Sequence, residues 1–329
     1  MSDFEIRPVT RDDAEAVNDL LAAAEAIDHT EEHYTVAEVV EELENPMIDI
    51  ARDWLVVERD GQVVAQCRLT PRSPDAGALS LAVDGTVHPD HRRQGIGSQL
   101  VPRMVARAKE YVHERGADLR PVVTGYARDD IAGRGKLLES AGLRPDRWSF
   151  VMSADLRAPR TLEQPLLPDG YSWSTWQGVA DDELREAHNE AFTGNPGYTP
   201  WSPEMWRQWV SGSSNFRPAL SLVARDEDGA VAAYIQTAEF DGVLEATGTR
   251  EAYVSKVGTL PGHRRKGLAG TLLRLVLQRY RDAGFDRAAL DVDSENPTGA
   301  LGVYERAGFR TTQKWTNYRL EGSSSTAPD

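Results

Sequence analysis

Two short segments of this chain carry the residues best suited to hold an anion. One runs from Val87 to Gly97 and the other from Thr259 to Ala269. In each, a basic run leads into a glycine, and glycine lets the backbone approach a ligand while the first amides of the helix that follows attract negative charge. Arginine forks beside that point suit phosphate oxygens. Both segments therefore predict phosphate- or pyrophosphate-binding loops, formed by Arg92, Arg93, Gln94, Gly95, Ile96 and Gly97 in the first copy and by Arg264, Arg265, Lys266, Gly267, Leu268 and Ala269 in the second.

The absence of two known motifs narrows the class of phosphate ligand that these loops could bind. No segment matches the Gly-x-x-x-x-Gly-Lys-Ser/Thr of nucleoside triphosphate loops, and neither copy supplies the third glycine of a dinucleotide fingerprint. The pattern Arg-x-x-Gly-x-Gly/Ala resembles the acetyl-CoA pyrophosphate loop of the GNAT family, the Gcn5-related N-acetyltransferases. The two copies lie about half the chain length apart, which indicates a duplicated domain.

The residues after the second loop extend this resemblance. An apolar helical run leads to a short strand near residues 288–292, and a further helix ends at Gly308 and Phe309. In the GNAT family, an Asn near the end of the fifth strand and a Tyr in the next helix accompany such a Gly-Phe pair. The resemblance implies that Asn296 contacts acetyl-CoA and that Tyr304 protonates or hydrogen-bonds the departing thiolate.

The first copy departs from this set. Leu138 stands where Tyr304 stands in the second copy, and Asp130 stands where Asn296 stands. A leucine cannot donate a proton, and Pro102 falls well inside the helix that follows the first loop. Two interpretations stay open: a first domain that is retained for structure, or a second active site that uses a different acid.

The resemblance also implies where the acetyl group would be held. The fourth strand of the second copy, about Arg250 to Thr259, splays from the fifth, and the pantetheine arm pairs with backbone near Val257 and Thr259. The first copy implies the same use of Val87. An amide near Val257 or Gly258 holds the thioester oxygen as negative charge develops.

The general base is the open assignment in this scheme. Many GNAT enzymes carry a glutamate on the fourth strand at the position that Tyr253 occupies here. Glu251 lies two residues earlier, so strand alternation puts it on the same face, where it could act through a water. Alternatively, Glu251 is a strand-edge charge and the amine arrives already neutral. The candidate catalytic residues are Tyr304, Glu251 and Tyr253.

Other residues have less specific patterns. His29 and His33 have the spacing of a helical metal pair but no third ligand follows at a diagnostic distance, so no metal site is expected. His188 and Glu190 are candidates for acceptor contact, with surface positions as the alternative. The aromatic residues that follow could wall an acceptor pocket or form core: Tyr198, Trp201, Trp206 and Trp209.

Length and composition fit two globular domains. The chain has 329 residues, of which 40% are apolar and 27% charged. A strand followed by a helix opens near Phe4 and again near Tyr171, with a proline-rich stretch between them. The sequence predicts an α/β chain of two tandem GNAT domains, each a mixed, mostly antiparallel central sheet flanked by helices with a splayed cleft. The expected boundaries are residues 1–157, a linker at 158–170, residues 171–321 and a disordered tail at 322–329.

Charge and cysteine content limit the partners. The formal net charge is −15, which disfavours nucleic acid. The acidic surface either favours a cationic amine acceptor or only keeps the protein soluble. No apolar stretch reaches membrane length, and charges occupy the first ten residues where a signal peptide needs an apolar core. Cys67 is the single cysteine, so a cytoplasmic protein without disulfides is expected.

These observations predict a function class. The chain is expected to use acetyl-CoA as co-substrate, without a metal, and to acetylate the primary amine of a small molecule by direct attack in its second domain. One alternative is a non-catalytic acyl-CoA-binding or sensing protein, which would need the loops but not Tyr304. Another is an N-acetyltransferase acting on proteins or peptides.

Overall fold

The chain folds into two compact units, each of which contains one copy of the loop. The computed structural model describes residues 4–75, 78–115, 119–131, 133–158, 165–194, 198–294 and 300–322. Unit 1 consists of Met1–Trp148 and Trp315–Asp329, and unit 2 consists of Ser149–Lys314. The predicted duplication is confirmed.

The first half of the chain opens as its sequence predicts. The Asp13 carboxylate accepts the backbone N–H of Thr10 at 2.8 Å, which fixes the start of the first long helix. The elements are β1 (Glu5–Pro8), α1 (Ala14–Asp28), α2 (Val36–Leu43), α3 (Ile50–Asp53), β2 (Trp54–Arg59), β3 (Gln62–Asp75), β4 (Ala78–Val87), α4 (Ile96–Arg115), β5 (Arg120–Arg128), α5 (Arg134–Ser140) and β6 (Arg144–Asp155).

The second half has a similar order, with an additional helix, Asp241–Thr247, before the strand Glu251–Thr259. Its second helix is one short turn that continues as a π-helical turn over Arg207–Ser211. The elements are β7 (Ser172–Thr175), α6 (Asp181–Phe192), α7 (Pro203–Trp206), β8 (Leu222–Arg225), β9 (Val231–Ala238), α8 (Asp241–Thr247), β10 (Glu251–Thr259), α9 (Leu268–Asp282), β11 (Arg287–Asp293), α10 (Ala300–Ala307) and β12 (Arg310–Glu321).

The sheet of unit 1 opens beside its loop. Its strands lie in the order β1-β2-β3-β4-β5-β12, and the pairing is antiparallel except between β4 and β5. That parallel pairing joins residues 78–82 to residues 120–124 and then ends, so the last five residues of β4 separate from β5. The expected splayed cleft is confirmed in this unit.

Unit 2 has the same opening. Its strands lie in the order β6-β11-β10-β9-β8-β7, with β10 and β11 as the parallel pair. These two strands pair only where residues 251–253 meet residues 287–289. The rest of β10, which leads into the second loop, separates from β11. A mixed, mostly antiparallel sheet with a cleft between the parallel strands is therefore present in each unit.

A β-bulge changes the direction of side chains along β10. Val254 pairs with Thr237 and Lys256 with Gln236, so Ser255 is an extra residue on β10. Because consecutive residues of β9 face opposite sides, Val254 and Lys256 also face opposite sides. Lys256 therefore lies on the face that carries Tyr253, which simple alternation along the sequence does not predict.

The two units divide the chain at other places than the sequence-based boundaries. Residues of β6 from Ser149 onward pair with β11 of unit 2, and residues of β12 from Trp315 onward pair with β5 of unit 1. The expected divisions at 157 and 171 therefore miss a crossed assignment of the last strand of each half. Strand pairing is a long-range choice that residue patterns do not record. Residues 159–164 of the expected linker and 323–329 of the expected tail lie outside the described residues.

Candidate active site

The second loop has the backbone that an anion site needs. Arg265 and Gly267 have φ of +61° and +82°, and α9 begins directly after Gly267. Gly267 is exposed and an added Cβ there would meet nothing within 4 Å, so its φ is the reason for glycine. The first amides of α9 have no acceptor within the helix and face outward from this turn.

The first loop has the same conformation. Arg93 and Gly95 have φ of +64° and +83°, and α4 begins directly after Gly95. Ile96 and Leu268, which start the two helices, are buried at 2% and 1% exposure. Their side chains anchor the helices in the cores, and only their amides can serve a ligand.

The first arginine of each loop is used for positioning. Arg264 donates to the carbonyl oxygens of Thr259 at 3.2 Å and Ala191 at 2.9 Å. Arg92 donates to the carbonyl of Val87 at 3.1 Å and forms two bonds of 2.7 Å to the Asp28 carboxylate. Each arginine thus ties its loop to the preceding strand and to the first helix of its half. The prediction that Arg92 and Arg264 also contact a phosphate stays a prediction.

The residue before each glycine also has protein partners. Lys266 donates to the Tyr171 hydroxyl at 2.9 Å, and that hydroxyl is 2.9 Å from Nδ1 of His263. Gln94 bonds the Asp90 carbonyl at 3.1 Å and accepts from Arg59 at 2.9 Å. The exposed Arg93 and Arg265 lie between these anchored residues at the mouth of each loop.

A cavity of about 610 Å³ lies at the first loop. Its wall continues into the splayed part of β4 and to α5, where Leu137 packs against Gly97 so closely that a Cβ there would clash. The loop is present in both units, and this cavity belongs to unit 1. Of the predicted cofactor-binding residues of the first copy, those that line the cavity are Val87, Arg92, Arg93, Gly95, Ile96 and Gly97.

The position of the acid differs between the units as the sequence predicts. Leu138 is 4% exposed in the core of unit 1, and Asp130 is paired with Arg128. Tyr304 in α10 is 8% exposed and packs edge-on against Phe309. Burial raises the pKa of Tyr304 to about 12, so the phenol stays protonated at neutral pH. Asn296, the other predicted contact, lies outside the described residues.

The backbone expected to hold the thioester lies on the separated part of β10. Val257 and Thr259 pair on one side with Ile235 and Ala233 of β9. On the β11 side this segment has no ladder partner among the described residues. Its free edge faces the gap, as an added strand would require.

Glu251 and Tyr253 are brought to one face but have different partners. Glu251 is ion-paired with Arg287 at 2.5 Å. Tyr253 donates its hydroxyl to the Asp291 carboxylate at 2.6 Å. The strand-edge interpretation of Glu251 is thereby favoured. Sequence reasoning did not single out Asp291, because the register that places it two residues after Ala289, the partner of Tyr253, is a property of the folded sheet.

Of the aromatic residues after α6, Trp206 is buried in the core and Trp201 is partly buried against it, while Tyr198 and Trp209 are half-buried. His188 is 1% exposed, and its Nδ1 is 2.7 Å from the Tyr234 hydroxyl. Burial lowers the pKa of His188 to about 3, so the ring is neutral. Glu190 is exposed. The ring centroids that lie within 6.2 Å of His188 belong to Phe192, Tyr198, Trp201, Trp206 and Tyr234, while Trp209 packs on Trp201.

Among the residues that the structure describes, a metal-ligand cluster and a bilayer-length apolar helix are both absent. No three His, Cys, Asp or Glu side chains among these residues gather as a metal ion would need. Within the same residues, no helix combines the length and apolarity needed to cross a bilayer.

Each unit is therefore an α/β domain in which a parallel strand pair separates beside a loop that has the backbone of an anion site. Residues 181–309 match the acetyltransferase (GNAT) family, and residues 51–132 match an acetyltransferase (GNAT) domain. Among curated relatives, the mycothiol acetyltransferase of Segniliparus rotundus is 32% identical over 73% of this chain and 84% of its own length. The mycothiol acetyltransferase of Mycobacterium marinum is 28% identical over 95% of both chains.

Solved structures agree. A GCN5-related N-acetyltransferase from Sphaerobacter thermophilus is 28% identical, with a TM-score of 0.76 over 98% of this chain and 96% of that one. A tandem GNAT protein from the clavulanic acid biosynthesis pathway shares the fold at 21% identity, with a TM-score of 0.69 over 99% and 100%. This chain belongs to the GNAT acetyltransferase family, in its tandem two-domain form.

Proposed function

We propose that this protein transfers the acetyl group of acetyl-CoA to the primary amine of a small molecule, in unit 2. The observation that carries the proposal is the separation of β10 from β11 directly before the Gly267 loop, with the buried, protonated Tyr304 in the next helix. The relatives named mycothiol acetyltransferase support a small acceptor. The single Cys67 is buried, which agrees with action in the cytoplasm.

The chemistry follows from where these groups lie. The amides that start α9, with Arg265 beside them, hold the pyrophosphate, and the free edge of Val257–Thr259 holds the pantetheine arm. The acceptor nitrogen attacks the acetyl carbon, and an amide near Val257 or Gly258 stabilises the oxyanion. The N–C bond forms as the C–S bond breaks, and Tyr304 gives its proton or a hydrogen bond to the departing thiolate.

Unit 1 is assigned a binding role without transfer. Its loop matches the second loop in conformation, and its 610 Å³ cavity accommodates a pantetheine arm. A buried leucine, Leu138, stands at the position of Tyr304, so unit 1 lacks a phenol at the place from which unit 2 would protonate the thiolate.

The acceptor is proposed only as a class. The curated relatives are named for mycothiol, but this chain has Tyr253 where many GNAT enzymes carry a glutamate. A sensor without catalysis is disfavoured by Tyr304, which binding alone does not require. Acetylation of peptides is not favoured by any described feature.

Native mass spectrometry and turnover test these assignments together. We expect two bound acetyl-CoA molecules. Gly95→Val and Gly267→Val force a branched side chain into the left-handed region, and each should remove one. Thiol release from acetyl-CoA, followed with a panel of primary amines that includes mycothiol lacking its acetyl group, should be lost only with Gly267→Val.

Gly248→Val is the control, because its φ of +66° is also left-handed but it ends α8 away from either loop. Loss of turnover with Gly95→Val and not with Gly267→Val would place the transfer in unit 1. Wild-type protein that binds acetyl-CoA but acetylates none of the amines would favour the sensing alternative.

A further inference from the structure

The Asp291 carboxylate, which belongs to β11, lies at the end of the Tyr253 side chain, which comes from β10. Asp291 accepts the Tyr253 hydroxyl at 2.6 Å, and Tyr253 holds the position where many GNAT enzymes carry a glutamate. A tyrosine there cannot serve as base at neutral pH, but its hydroxyl ends directly on a carboxylate from the neighbouring strand.

Asp291 lies on the correct face of the gap. Parallel pairing puts Tyr253 level with Ala289, and the next residue of β11 on that face is Asp291. At Asp291 the two strands are no longer paired, so its carboxylate stands at the edge of the opening. The residue is solvent-exposed, which an acceptor amine needs in order to reach it.

The opposite face of the same two strands holds the acid. The core cluster that contains Tyr304 also contains residues of β10 and β11 with the other orientation: Ala252, Val254, Leu290 and Val292. Asp291 and Tyr304 are therefore on opposite faces of the gap. A thioester held between the strands would be attacked from one face and would lose its thiolate toward the other.

Desolvation and the neighbouring groups set the pKa of Asp291. Partial desolvation by the surrounding protein raises the pKa of Asp291, while the Tyr253 hydrogen bond and the positive charge of Lys256 lower it. On the β6 side, its registered partner is Val151, and the same-face neighbours Ser149 and Ser153 do not titrate. A carboxylate with a raised pKa is a better base than an ordinary surface aspartate.

We propose that Asp291 is the general base of acetyl transfer in unit 2, oriented by Tyr253. The acceptor ammonium gives one proton to the Asp291 carboxylate, and the freed nitrogen lone pair forms the N–C bond. The C–S electron pair leaves with sulfur, which Tyr304 protonates; the second proton of the attacking nitrogen passes to solvent, which returns a proton to Tyr304 and takes the one held by Asp291. Glu251, held by Arg287, is not the base. This inference rests on the proposed function.

The test compares pH profiles of kcat/KM for an amine that the wild type acetylates. The acidic limb is the fall of kcat/KM as the pH decreases and the general base becomes protonated. Asp291→Asn should lower kcat/KM at pH 7 about 100-fold and remove this limb. Tyr253→Phe leaves the carboxylate without its donor, so the limb should persist and move to higher pH. Glu251→Gln and the surface control Asp282→Asn should keep the limb. A limb that survives Asp291→Asn, or disappears with Glu251→Gln, overturns the proposal.

A measurement without turnover separates this inference from the proposed function. In protein carrying aspartate labelled with ¹³C at the carboxyl, the resonance that Asp291→Asn deletes should titrate above the ordinary range of aspartate. Its midpoint should rise further in Tyr253→Phe. An ordinary midpoint that Tyr253→Phe does not move overturns the pairing. A shifted resonance in a protein that acetylates no amine would instead reject the proposed function, and the base role with it.

Discussion

Burial determines what single residues of this protein can do. Burial keeps the phenol of Tyr304, our proposed acid, protonated well above neutral pH, whereas Leu138 at the matching place of unit 1 only fills core. Asp53 and Arg107 show the same principle without catalysis, since with exposures of 0% and 6% each charge relies on protein partners instead of water.

Replacing Tyr304 by phenylalanine removes the acid and little of the packing. We expect kcat to fall about 100-fold, because general acid catalysis typically contributes that much or more. The Kd for acetyl-CoA should hardly change. Since the pKa of Tyr304 is about 12, it should also impose no alkaline limb on the wild-type profile below about pH 10. Steady-state kinetics and calorimetry measure both quantities, and unchanged kcat would remove Tyr304 from the mechanism.

Removing one partner of the Asp53–Arg107 pair should destabilise unit 1. Arg107 Nε donates to Asp53 at 2.7 Å, so Asp53→Ala leaves a buried guanidinium without that partner. Since Arg107 keeps its bonds of 3.2 Å to Glu114, the expected loss is about 1.5–3 kcal/mol in the free energy of unfolding, the worth of a hydrogen bond to a charged group. Glu44→Ala breaks an exposed pair with Arg11 and should cost less than about 1 kcal/mol. Urea unfolding compares the two, and equal losses would contradict the argument.

At the scale of elements, one strand organises the site of unit 2. A single extra residue at Ser255 turns Lys256 to the face of Tyr253 and Asp291, and the strand then leaves β11 to expose its edge. The loop and α9 continue directly from that edge. The geometry of the candidate site is thus set by where β10 stops pairing.

Gly258 permits the close contact that holds this part of β10. Any Cβ at Gly258 would overlap the ring of Tyr234 on β9. Gly258→Ala should therefore cost about 1–3 kcal/mol through overpacking and weaken acetyl-CoA binding by shifting the strand edge. Gly262→Ala is the matched control, because a Cβ there meets nothing within 4 Å and its φ is not left-handed. Thermal unfolding and calorimetry would distinguish them; equal behaviour would disprove the role of the contact.

For the whole molecule, a segment at the end of the sequence belongs to the same compact unit as the beginning of the sequence. Residues 315–329 end the second half of the sequence but belong to unit 1, where Trp315–Glu321 pair with β5. The compact units therefore do not coincide with the two halves of the sequence, although each half contains one loop.

Truncation tests this exchange. A chain ending at Lys314 lacks the strand that pairs with β5, so amides of residues 122–128 should lose protection from hydrogen exchange. A chain ending at Gly322 keeps every paired residue of β12 and should behave as the full-length protein. Unchanged protection after the first truncation would refute the assignment of this strand to unit 1.

The sequence by itself determined the family, the duplicated loops, the mixed sheets with their clefts and the contrast between Tyr304 and Leu138. These depend on local patterns: glycine before a helix, charge beside it, and a phenol or a leucine at a fixed distance. Residue types at short spacing record such features because the backbone conformations that they need are local.

Only the tertiary structure decided the partners. It gave Arg92 and Arg264 protein partners on neighbouring helices, tied Glu251 to Arg287, and brought Asp291 to Tyr253. It also assigned the last strand of each half to the other unit. These outcomes depend on strand register, on one bulge and on pairings between residues far apart in the chain, which no short-range pattern in a single sequence encodes.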